Sequence, residues 1–358
     1  VARSLDNPPR VIVDLPEIEF RLPPGVGQRG HGLVTGFRYG LIEAGKSRIV
    51  LDTTGPVEIE RVEVVLPDAA GAFRLELDLV PSTGAALAAS AADVAKAIAP
   101  RSPGRPVIAP PPIGDAPAEP QSGPSALPVV VVDAGHGGID SGAMGRRVAE
   151  KDLVLSVARL IEQALRKSGR YEVVMTRSQD VFVSLDERVA ISRRHQGDLF
   201  VSIHADSLPT REAARTVRGA TVYTLAEQAS DDAARRVADK ENAVDLLAGL
   251  PVTQTDDEQV RDILIDLMRR ESQGFANDFR RSLLGALRPT ARLSRDPERS
   301  GPFRVLRQPA TPAVLIELGY ISNAEDEKQM LSVEWQSRVA ESVARAVDGH
   351  FRVRTARR

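Results

Sequence analysis

The chain has 358 residues, too many for one ordinary core, so two or three domains are expected. Its 47 Lys+Arg nearly balance 49 Asp+Glu, a net charge of −2 that excludes a generally basic nucleic-acid binder and a strongly acidic tail protein. Cysteine is absent, which removes disulfides, thiolate metal sites and a Cys nucleophile, and leaves any transition metal to five His and the carboxylates. Aromatics at 4 % argue against a stacking platform for single-stranded nucleic acid. No apolar run reaches the length of a transmembrane helix, and no signal-peptide pattern opens the chain.

In chain order, the first 80 residues read as a small all-β domain. Val11–Leu15, Arg48–Asp52, Val57–Val65 and Phe73–Leu79 are short runs rich in β-branched or alternating residues, punctuated by Gly/Pro turns. The alternation from Val57 to Val64 predicts one buried and one wet face. Residues 100–128 then hold ten of the 25 prolines, a composition that cannot build a core. A linker is expected over 81–127, with Ala85–Ala99 either a short helix or more linker.

From residue 128 onward, strand and helix patterns alternate. Val129–Val132, Tyr171–Met175, Leu199–Ile203, Ala220–Leu225 and Val314–Leu318 read as strands. Lys151–Lys167 carries its apolar residues at helical spacing, Ser184–Glu187 is a capping box opening a helix to about His195, and Val333–Phe351 is a closing amphipathic helix. This order predicts an α/β domain, an open and mostly parallel sheet with helices on both faces. Ligands in such sheets sit outside the carboxyl ends of the strands.

Those ends carry the chemistry. Asp133-Ala134-Gly135-His136-Gly137-Gly138 follows the first strand, His204-Ala205-Asp206 follows Leu199–Ile203, Glu317 follows Val314–Ile316, and Glu150 opens a helix. Two imidazoles and a carboxylate are a common catalytic zinc set, and a second carboxylate can take a proton from water and pass it on. Each residue also has a plainer reading. Gly-His-Gly-Gly could be a turn or an anion nest, and Glu150 a helix N-terminal carboxylate. Glu317 stands out, because a charge closing an apolar strand is rarely buried unpaired.

Four motifs stand in order: Val129–Ala143 (VVVVDAGHGGIDSGA), Glu150–Leu155 (EKDLVL), Val201–Ser207 (VSIHADS) and Ala313–Asn323 (AVLIELGYISN). Together they resemble the zinc-dependent N-acetylmuramoyl-L-alanine amidases, in particular the cell-division branch, over residues 128–351. Asn7–Pro16 and Phe37–Gly55 resemble the AMIN module that precedes such enzymes, which implies that the chain begins inside that module. The resemblance implies one Zn2+ held by His136, Glu150 and His204, with Glu317 the catalytic carboxylate. The substrate it implies is peptidoglycan, cut at the amide between the lactyl group of N-acetylmuramic acid and L-Ala, and the location the periplasm of a Gram-negative bacterium. A non-catalytic wall-binding protein and another zinc hydrolase, a peptidase or deacetylase, are the alternatives.

Between Leu225 and a helix expected at Ser272–Leu287 lies an insertion, 226–271, that is helical in pattern over Ala226–Leu250 and Asp256–Arg270. It is either a solvated hairpin or, as the resemblance implies, a segment that covers the zinc site until an activator removes it. Glu241 is the candidate blocking carboxylate, with Glu227 and Glu271 as alternatives. The implied partner is a LytM-type activator protein, with Val260, Leu264 and Leu267 as candidate docking residues. The basic end, residues 352–358, reads as a solvated tail.

Overall fold

A computed structural model describes residues 2–6, 8–22, 26–43, 45–65, 74–82, 127–208, 210–249, 263–308 and 310–356. The expected linker and the Ala85–Ala99 segment fall outside the described residues, apart from 81, 82 and 127.

The N-terminal region contains β1 (Ala2–Asp6), β2 (Pro9–Pro16), β3 (Val34–Glu43) and β4 (Lys46–Thr53), an antiparallel sheet in the order β1-β2-β4-β3. A separate hairpin pairs β5 (Val57–Val65) with β6 (Arg74–Pro81). Successive side chains of a strand point to opposite faces. Val11 and Val13 accordingly face Val57, Ile59, Leu75 and Leu77 of the hairpin, while Ile12 and Val50 point the other way. The strand β3 escapes a simple pattern reading because Gly36 and Gly40 interrupt it and its register shifts at both ends. The alternation expected through β5 fails beyond Ile59. A register shift lies between Ile59 and Arg61, and Val62 is 49 % exposed. One extra residue in a strand turns all that follow to the opposite face.

The larger region begins with β7 (Val129–Ala134), α1 (Glu150–Lys167), β8 (Glu172–Met175), α2 (Leu185–Arg194) and β9 (Leu199–His204). It continues with α3 (Arg211–Thr216), β10 (Ala220–Leu225), α4 (Asp232–Asn242), α5 (Val244–Leu247) and α6 (Ile263–Leu287). The last elements are β11 (Leu293–Gly301), β12 (Ala313–Glu317), α7 (Ala324–Met330) and α8 (Val333–Ala356). Six strands form one sheet in the order β11-β10-β12-β9-β7-β8. Strands β8, β7, β9 and β12 are parallel, whereas β10 runs antiparallel to β12 and carries β11 with it. The sheet is therefore mixed, with its four parallel strands together.

Helices cover both faces. Val130, Val132, Val201, Ile203 and Ile316 pack against α1, α6 and α8; Val131, Phe200, Tyr223 and Leu315 pack against α2 and α4. Ser184 caps α2 by accepting from the Glu187 backbone N–H at 3.2 Å, as the capping-box pattern predicts. Strand β11 was not among the expected ones; it lies at the sheet edge, where its Asp, Glu, Arg and Pro297 are tolerated. The expected break between the insertion and the following helix is absent, since α6 runs continuously from Ile263 to Leu287. Among the described residues no helix is long and apolar enough to cross a membrane.

Candidate metal centre

Strand register assembles the centre. Pairing of β12 with β9 sets Glu317 directly beside His204, and pairing of β9 with β7 brings Ala134 beside Ile203, one residue from each histidine-bearing turn. Gly135 lies where any Cβ would come within 2.4 Å of the His204 ring, so the two turns can close on each other only with glycine there.

The His136 turn is held from below. His136 takes a left-handed backbone conformation with φ 56°, uncommon for a residue with a side chain and found preferentially at functional sites. Two buried guanidinium groups hold it there. Arg188 donates to the carbonyls of Ala134 and His136, each at 2.7 Å, and Arg177 donates to those of Ala134 at 2.9 Å and Gly135 at 2.8 Å. Arg188 also pairs at 2.6 Å with Asp133, a fully buried carboxylate that accepts from Thr176 and Ser202 as well. Burial would raise the Asp133 pKa, but Arg188 and the two hydroxyls hold it below the usual carboxylate range.

Above this support four ligand-type atoms converge. His136 Nε2 lies 3.1 Å from Glu150 Oε1 and 3.5 Å from Glu241 Oε2. His204 Nδ1 lies 3.3 Å from the same Glu150 oxygen and 3.2 Å from the same Glu241 oxygen. Ligand atoms about 2.0 Å from a tetrahedral zinc stand about 3.3 Å apart, so these spacings fit one ion. Among the described residues the two imidazole nitrogens and both Glu241 oxygens are buried without a hydrogen bond. Orphaned polar atoms cost free energy, and His136, His204 and Glu241 form a buried group of a kind that could hold a metal ion. Glu150 is anchored differently: Oε1 accepts from Ala205 N and Oε2 from Ala143 N, both at 2.8 Å. The opposite ring nitrogen of His136 contacts Asp140 at 2.7 Å, the carboxylate–histidine arrangement that orients metal ligands.

Glu317 stands beside these groups. One oxygen accepts from Asp206 N at 2.8 Å, and among the described residues the other is buried without a hydrogen bond. Burial, reinforced by the Asp206, Glu150 and Glu241 carboxylates and opposed by Lys240, pushes its pKa well above the usual range. Lys240 reaches in from α4 to within 2.5 Å of Asp206 Oδ1. Burial would lower its pKa, but Glu150, Glu241 and Asp206 hold it well above the ordinary lysine value.

The family model for N-acetylmuramoyl-L-alanine amidase (Amidase_3) matches residues 130–349. The chain belongs to this amidase family. Among curated relatives it is 34 % identical over 243 residues to N-acetylmuramoyl-L-alanine amidase AmiC of Escherichia coli O6:H1, covering 67 % of this chain and 57 % of that protein. It is 35 % identical over 226 residues to AmiA of Escherichia coli K12, covering 62 % of this chain and 76 % of that protein. The catalytic domain of CwlV from Bacillus (Paenibacillus) polymyxa is 29 % identical, with a TM-score of 0.46 over 63 % of this chain and 99 % of that one. The match thus spans a little over half the length of AmiC.

The structure brings His136, Glu150, His204, Glu317 and Glu241 into one cluster within this amidase domain. Glu227 and Glu271 are exposed. Val260 falls outside the described residues, and Leu264 and Leu267 lie within α6. Sequence reasoning missed Asp140, Asp206, Lys240 and the Asp133–Arg188 pair. Asp140 and Asp206 were within reach, each following a motif histidine by a few residues. Arg188 and Lys240 lie on helices whose position over the site is set by tertiary packing.

Proposed function

We propose that this chain is a zinc-dependent peptidoglycan amidase that hydrolyses the lactyl-L-Ala amide between glycan strand and stem peptide. In this reading residues 1–80 are an AMIN-like module, 81–127 a tether and 128–358 the catalytic domain, with 226–271 a regulatory insertion. His136, Glu150 and His204 would hold one Zn2+. When bound, zinc supplies Lewis-acid polarisation of a carbonyl and acidification of water.

The observation that carries the reading is the cluster of buried imidazole nitrogens that among the described residues have no hydrogen bond, flanked by a buried carboxylate with one oxygen likewise unpaired. The Asp206 backbone N–H fixes one Glu317 oxygen, so the other is aimed rather than mobile. A carboxylate placed this way would accept a proton from water and return it to the leaving amine nitrogen. Asp140 orients His136, and the Arg177 and Arg188 guanidinium groups fix the turn that carries it. A wall-binding protein without catalysis has no use for the free Glu317 oxygen.

Glu241 Oε2 lies 3.5 Å from His136 Nε2 and 3.2 Å from His204 Nδ1, where it would take a coordination place that water or substrate needs, which favours a self-inhibited enzyme. Displacement of α4 by a LytM-type activator, in the periplasm during daughter-cell separation, completes the proposal. Incubation of purified sacculi with zinc-loaded protein tests the chemistry. Stem peptides with a free L-Ala amine are expected with Glu241→Ala, and none after chelation or with Glu241→Ala/Glu317→Ala. Peptide release that persists in the Glu317→Ala background would remove Glu317 from the mechanism.

A further inference from the structure

The N-terminal sheet has two apolar faces, and only one is used by its own hairpin. The other, formed by alternate residues of β2 and β4, carries Arg10, Ile12, Arg48 and Val50, with Ile12 directly opposite Val50. This face packs on the amidase domain. Ile12 and Val50 share one buried cluster with Ile139, Phe182 and Ala248. Ala248 belongs to the segment that follows Glu241, and Ile139 to the turn that carries His136.

The polar contacts at this face converge on the end of the same segment. Arg10 Nη1 donates to the Leu246 carbonyl, and Arg48 Nη1 donates to the Ala248 carbonyl at 2.9 Å. Both guanidinium groups are buried, at 3 % and 4 % exposure. They sit at the carboxyl end of α5, where the Leu246 carbonyl also accepts from Gly249 N at 2.9 Å. Gly249 closes the contact, since a Cβ there would lie 2.0 Å from Ile12 Cδ1. Leu41 O of β3 also accepts from Ile139 N and Phe182 N, each at 3.3 Å.

We propose that this face of the β module is a binding surface whose occupant is the 244–249 segment of the same chain, so that the module latches the inhibitory helix over the metal centre. The proposal rests on the reading of Glu241 as the blocking group. Ala248 lies seven positions after Glu241, so fixing one end restricts the other. Separation of the two regions returns both guanidinium groups and both carbonyls to water and frees α5 to move with α4. The module is then a brake in cis, additional to any role in localisation.

The test uses the full chain in three forms besides the unmodified one: Arg10→Ala/Arg48→Ala, Ala248→Arg and Glu241→Ala. The second attacks the interface from the amidase side and leaves the β module unaltered. Stem-peptide release from sacculi without activator and hydrogen exchange over residues 232–249 are both measured. Both interface variants are expected to raise release about tenfold, within the usual range of coupling between sites, and to speed exchange over 232–249. Release that changes by less than about twofold, or exchange that is unchanged, in both interface variants overturns the latch. If that happens while Glu241→Ala gains activity, self-inhibition stands without the latch. If the interface variants gain activity and speed exchange while Glu241→Ala does not gain, the latch stands and Glu241 is not the block.

Discussion

Two carboxylates reach the same pair of histidines by different routes. Glu150 opens the 18-residue helix α1, is fully buried, and has both oxygens fixed by backbone N–H groups of neighbouring turns. Glu241 sits near the end of the 11-residue helix α4, and among the described residues neither of its oxygens makes a hydrogen bond. One is built into the centre and the other is laid over it. Glu150 is tied to the surrounding fold through both oxygens, whereas Glu241 is placed by the packing of α4, whose Ala234, Val237 and Ala238 are buried against the sheet, and by contacts at the two ends of that helix. Asp231 pairs with Arg299 at one end, and Arg10 and Arg48 hold the segment beyond the other.

Substitutions can break or sharpen this contrast. The largest effect is expected at Glu317. Glu317→Gln keeps the shape but cannot accept a proton, and a loss of about 10³-fold in stem-peptide release is expected in the Glu241→Ala background, with zinc content unchanged. Next is Arg188→Ala, which strands the buried Asp133 carboxylate and frees the His136 turn. A destabilisation of about 3–5 kcal/mol is expected in denaturant unfolding. A value below about 1 kcal/mol, that of an exposed ion pair, would mean the support beneath the histidines is dispensable.

Asp140→Asn removes the carboxylate behind His136, and zinc affinity by competition with a chelator is expected to fall about 10- to 100-fold. Glu150→Gln should lower zinc affinity as well. Glu241→Ala should leave it within about tenfold and raise basal hydrolysis, because a site with three protein ligands retains its metal. Equal zinc losses in the Glu150 and Glu241 variants would erase the distinction between built-in and removable ligands.

Much of the centre was legible because its side chains lie at strand ends. A buried strand is a short apolar run, so the residues that close it, His204 and Glu317, are visible as the point where the run stops. His136 is marked by the glycines that let its turn tighten. The parallel core of the sheet follows from the βα alternation. Strand β11 was not legible, because it is polar and carries a proline, and the reversal of β10, itself an expected strand, is set by its pairing with β12 rather than by its sequence pattern. Likewise β5 conceals a bulge that no pattern of alternation marks. The contact of the β module with the 244–249 segment joins residues some 200 positions apart, and Arg10 and Arg48 look in sequence like solvated strand residues. Burial of a charge against a distant carbonyl is a tertiary fact.

The most direct test of the account is mass analysis of the products released from sacculi by the zinc-loaded Glu241→Ala chain, with and without chelator. Free stem peptides with an L-Ala amino terminus are expected, dependent on zinc and abolished by adding Glu317→Ala. Release of shortened peptides or deacetylated sugars with the lactyl amide intact, or no zinc-dependent release at all, would contradict it.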